Sequence, residues 1–98
     1  MNLALASPRL REFMRHSNTR GFLHMLAGCD FRSGPACFGV LSDWVQDFGI
    51  ELELPITPAE MQLFGEFMDR SNRHQMLSQL RGWASDLLRQ LGQLKPEA

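Results

Sequence analysis

MLSQLRGWASDLLRQLGQL, residues 76–94, is the stretch whose spacing decides the fold class. Leu77, Leu80, Ala84, Leu87, Leu91 and Leu94 follow one another at alternating steps of three and four. That is the period of one face of an α-helix, and Met76, Trp83 and Leu88 widen the face. Upstream, a helix start is written at Thr57-Pro58-Ala59-Glu60, where Thr at the N-cap, Pro in the first turn and Glu three residues on form a capping box. Met61, Phe64, Phe67 and Met68 follow on one side. The phase of 61, 64 and 68 does not carry into 77, 80 and 84. The segment 57–94 therefore reads either as one helix that changes its buried face or as two. The order Asn72-Arg73-His74-Gln75 resembles a second cap and favours a turn near Ser71-Asn72.

Moving toward the N-terminus, Ser33 or Gly34 caps a helix with Pro35 in its first turn, and Phe38, Leu41, Val45 and Phe48 mark its apolar side. Gly49 stops it. Ile50 to Leu54 (I-E-L-E-L) alternates with the period of a strand, which predicts a short extended connector or a dimer-pairing edge. Ser7-Pro8 opens the first helix, with Leu10, Phe13, Met14, Phe22, Leu23, Met25 and Leu26 at helical spacing up to Gly28. The polar run 15–21 is a turn or the solvated side of one long helix. Glu12-Phe13-Met14-x-x-Ser17-Asn18 recurs as Glu66-Phe67-Met68-x-x-Ser71-Asn72, and either chance or a repeated helix–corner–helix accounts for it.

These elements predict one all-α domain over 1–98: three to five helices, a short extended segment near 50–54, ends frayed over 1–6 and 95–98, and a homodimer. The chain is 44% hydrophobic and 21% charged, with six Met and seven Phe, the composition of a globular protein. Nine arginines to one lysine match a GC-rich, bacterial or phage, genome. The short apolar stretch Leu3 to Ala6 has no basic residue before it, so it reads as no secretory signal, and the expected location is cytoplasmic. Charge is uneven: +3 over 1–28, −7 over 29–69 and +3 over 70–98, for a net −1. Basic ends and an acidic middle suit packing of one on the other, within the chain or across a dimer. They do not make the basic domain usual for nucleic-acid binding.

No catalytic pattern, cofactor motif or metal site is read from the sequence. His16, His24, Cys29 and Cys37 lack the ligand pairs spaced two to four apart that zinc sites show. The function class expected is a small regulatory protein that works by protein–protein interaction. It would sequester or inhibit a partner such as a transcription factor or an enzyme. The partner and dimer surface expected is the apolar helical face of Phe64, Phe67, Met68, Met76, Leu80, Trp83, Leu87 and Leu91, Met, Phe and Trp being common at interaction faces. The alternative is a helix-turn-helix DNA-binding repressor, with Arg70, Arg73, His74, Arg81 and Arg89 on phosphates. Third comes a thiol-dependent small enzyme or redox sensor using Cys29 and Cys37.

Overall fold

The computed structural model describes residues 1–65 and 68–94. Its order is a 3₁₀ turn Leu3–Leu5, α1 Pro8–Arg15, α2 Ser17–Ala27, α3 Gly34–Phe48, a 3₁₀ turn Gly49–Leu52, α4 Pro58–Gln62 and α5 Arg70–Gln93. Among the described residues there is no strand, so the fold is all-α.

Helix α5 is the beam on which the rest is laid. At 24 residues it is about 36 Å long. Met76, Leu77, Leu80, Trp83, Ala84 and Leu87 form its buried side. Against them lie Leu23 and Leu26 of α2, Phe38, Leu41 and Trp44 of α3, and Leu10 and Met14 of α1, all in one core. Burial of such a face, not intrinsic propensity, supplies most of a helix's stability. Gly34 is where α3 comes closest to α5: a Cβ there would stand 3.0 Å from Leu77 Cδ2. Aromatic rings join the layers. Phe13, Phe22 and Trp83 each pack on Trp44, at centroid distances of 5.1, 5.0 and 6.4 Å.

The helix starts follow local chemistry. The Ser7 hydroxyl accepts from Leu10 N at 3.2 Å, and both halves of the Thr57/Glu60 capping box are present, at 3.1 Å each. The polar run 15–21 resolves into a turn of one extended residue, His16, between α1 and α2. The break in 57–94 is also real, but it falls between the end of α4 at Gln62 and the start of α5 at Arg70, upstream of Ser71-Asn72. Asp69, not Asn72, is the cap. Its Oδ1 accepts from Asn72 N at 2.8 Å, and its Oδ2 from the Asn72 amide at 3.2 Å. Asp69→Ala is therefore expected to cost about 1 kcal/mol, read as a lower urea midpoint. Asn72→Ala should cost less, since the Asn72 backbone donor survives; equal losses would refute Asp69 as the cap.

The first copy of Glu-Phe-Met-x-x-Ser-Asn runs from α1 into α2, whereas in the second Met68 precedes α5 and Ser71-Asn72 lie in its first turn; α2 and α5 pack along each other. Glu66 and Phe67 lie outside the described residues.

Two expectations are corrected. Ile50 to Leu54 is no extended segment. Gly49 takes φ 58° and ψ −135°, a region favouring glycine, and turns the chain into a 3₁₀ turn closed by Glu53 N donating to Ile50 O at 3.1 Å. A period of two means strand only where a neighbouring strand takes up the backbone bonds, and none is present among the described residues. Nor are residues 1–6 frayed: Leu3 is fully buried, and its N–H donates to Gln90 Oε1 at 2.6 Å. Residues 95–98 lie outside the described residues.

Candidate functional site

The face expected to meet a partner is largely the chain's own core. Phe64, Met76, Leu80, Trp83 and Leu87 are buried, and Met68 and Leu91 are half-buried against the same cluster. Phe67 lies outside the described residues. The Trp83 indole N–H donates to Leu52 O at 3.1 Å, which ties that side chain inward. The stripe looked like surplus because periodicity shows that a face is buried without showing what covers it. Here α2 packs along it, and α3 reaches it at Gly34 and Trp44. The surplus of apolar helix that motivated a dimer through 76–94 is absorbed within one chain.

The apolar side chains left outside sit elsewhere. Ile50 is 97% exposed and Leu5 83%, the two most exposed of the large hydrophobics among the described residues. Both belong to the seam where the N-terminal segment meets the turn 49–53. Asn2 starts its 3₁₀ turn by accepting from Ala4 N at 3.2 Å. Ser7 N donates to Glu51 Oε1 at 2.6 Å, and the Met1 ammonium lies 2.8 Å from Glu53 Oε2. From the far side, Gln90 receives Leu3 N and donates to Met1 O at 2.7 Å. Hydrogen bonds from the Ser7 hydroxyl and amide hold the Glu51 carboxyl below its usual range, so it is anionic at neutral pH. Met1, Asn2, Leu5, Ala6, Glu51 and Glu53 line a cleft of about 240 Å³ at this seam.

The sequence signal for this site was present but pointed elsewhere. Strand-like alternation puts Ile50, Leu52 and Leu54 on one face. The 3₁₀ turn instead sends Leu52 fully inward and leaves Ile50 out.

Arg9, Arg73 and Arg81, from the two basic ends, reach the middle segment within the chain through carbonyls and rings. Arg9 Nη1 donates to Asp47 O at 3.1 Å, with its guanidinium 4.7 Å above Phe48. Arg81 Nη1 donates to Cys29 O at 2.9 Å, Arg73 lies 5.6 Å above Phe31, and Arg89 pairs with Asp86. Three of the four arginines offered to phosphates by the DNA reading thus serve intramolecular contacts. The apolar side of α5, its recognition helix, is in the core.

Cys29 and Cys37 are buried free thiols, and burial pushes both above the ordinary thiol range, the opposite of an activated nucleophile. Cys29 lies in the loop between α2 and α3 and Cys37 in the first turn of α3, and the two are not joined by a disulfide. Neither thiol is expected to react with an aromatic disulfide reagent in the native state, while both react in guanidinium. Rapid native labelling would restore the thiol reading. Among the described residues no group of three or more His, Cys, Asp or Glu is placed to hold a metal, and no helix is long and apolar enough to cross a membrane.

Comparison with protein families, with curated proteins and with solved structures finds no match. What the fold and the surface define is a class: a small all-α domain built on one long helix, with an apolar pair exposed at the seam of its N-terminal segment.

Proposed function

We propose that the protein is a small regulatory protein that acts by binding another protein and sequestering or inhibiting it, an anti-activator of a transcription factor being the form we favour. The observation that carries this reading is the near-complete exposure of Ile50 and Leu5 on a chain whose other large apolar side chains mostly join one core. Protein interfaces draw their affinity from a few desolvated apolar anchors, and truncating one typically costs about 2 kcal/mol or more.

Co-purification of the tagged chain from the cells that make it provides the test. A partner bound by the wild type is expected to be lost from the Leu5→Ser/Ile50→Ser variant with its circular dichroism unchanged. Adding the wild-type chain should lower that partner's activity in proportion to the complex formed. A variant with the exposed Arg20, Arg32 and Arg70 changed to Gln should keep the partner. If that arginine variant loses function while Leu5→Ser/Ile50→Ser does not, the interaction reading fails and a phosphate-binding role takes its place.

A further inference from the structure

We infer that the cleft beside Leu5 takes the lysine or arginine side chain of a basic, apolar-flanked segment of the partner protein, a reading that rests on the function proposed above. The dimensions and the lining set this choice. At about 240 Å³ the cleft is smaller than the roughly 300–1,000 Å³ typical of small-molecule sites, and a single long side chain suits it better than a whole ligand. Its walls are of two kinds. Met1, Leu5 and Ala6 are apolar, and Glu51 and Glu53 bring carboxylates. Lysine and arginine alone among side chains join a long apolar stem to a permanent cationic head.

The charge on that lining persists at neutral pH. Ser7 hydrogen-bonds Glu51 and keeps it ionised. Two cations stand nearby. The Met1 ammonium already meets Glu53 Oε2, and Arg9 lies close enough to Glu51 to favour its charged form. The Arg9 guanidinium, however, is engaged by Asp47 O and the Phe48 ring. An ionised carboxylate has about four lone-pair positions, so neither glutamate is saturated by these contacts. Leu5, on the cleft wall, and Ile50, beyond it in the turn 49–53, leave apolar surface exposed, where a cationic residue with apolar neighbours would lay those neighbours down. A polyanion meets two carboxylates at this surface and is repelled.

Selection of a displayed library of random short peptides on the immobilised chain tests the inference without the native partner. The enriched peptides are expected to carry Lys or Arg flanked by apolar residues. A synthetic peptide of the consensus should bind the wild type with a Kd that rises with salt. The Kd should weaken by about tenfold or more for Glu51→Gln/Glu53→Gln, the loss expected when charge-assisted hydrogen bonds go, and also for Leu5→Ser/Ile50→Ser. Glutamine still accepts the Ser7 bond, so the first variant keeps its fold, and circular dichroism checks both. Acidic or uncharged consensus peptides, affinity indifferent to the glutamates, or no enrichment would overturn the inference. So would a doubled light-scattering mass that Leu5→Ser/Ile50→Ser abolishes, because the occupant would then be a second copy. A native partner lost with Leu5→Ser/Ile50→Ser but untouched by Glu51→Gln/Glu53→Gln sinks the cationic reading alone and leaves the proposed function standing.

Discussion

Shortening Leu80 to alanine is expected to remove about 2–5 kcal/mol from the free energy of unfolding. The side chain is fully buried near the middle of α5, in the core shared with α2 and α3. A domain of this size holds only about 5–15 kcal/mol in all, so the loss is a large share of the total. Urea titration followed by circular dichroism should show the midpoint falling with the slope unchanged. Leu87→Glu with Leu91→Glu goes further, because it forces a carboxylate into the fully enclosed place of Leu87. The expected product is an unfolded chain. A folded, soluble monomer from the double variant would mean that α5 presents this face to something other than its own chain.

Trp83→Ala is expected to cost about 3–5 kcal/mol, the range for deleting a buried large aromatic. Three contacts go at once: the packing on Trp44, the place in the α5 face, and the N–H bond to Leu52 O. Trp83→Phe separates them. It keeps most of the bulk and leaves Leu52 O unsatisfied, at about 1–3 kcal/mol. The chain has two tryptophans, so the variant also isolates the fluorescence of Trp44 for the unfolding curve. A Phe variant as stable as the wild type would show that the indole bond contributes nothing net.

How much of this was legible in the sequence follows from the range of the forces involved. Ser7-Pro8 and Thr57-Pro58-Ala59-Glu60 were readable because a cap is made by residues within three or four positions of one another. The face of α5 was readable because its period is written in the chain. Asp69 was passed over because Asp and Asn cap about equally well and the polar run 69–75 holds both. Ile50 was misplaced because the alternation around it describes a strand only when a second strand exists. The candidate site was the least legible. Whether Leu80 or Leu5 faces water depends on which helices arrive to cover each, and that is settled by contacts between residues far apart in the chain.

Gln90 joins the two ends of the described chain: it receives Leu3 N and donates to Met1 O, across separations of 87 and 89 positions. A bond of that span closes a loop of nearly the whole described chain, and the cost of closing a loop grows with its length. In a chain growing from the ribosome it waits for almost the last turn of α5 to emerge. The N-terminal seam can meet the turn 49–53 earlier, through Glu51 and Glu53, and its contacts with Gln90 come later. A nascent or truncated chain that lacks Gln90 leaves Leu3 unpinned and Leu5 without its setting. The hydrogen bonds that Gln90 makes to Met1 and Leu3 are thus not available until α5 has been made.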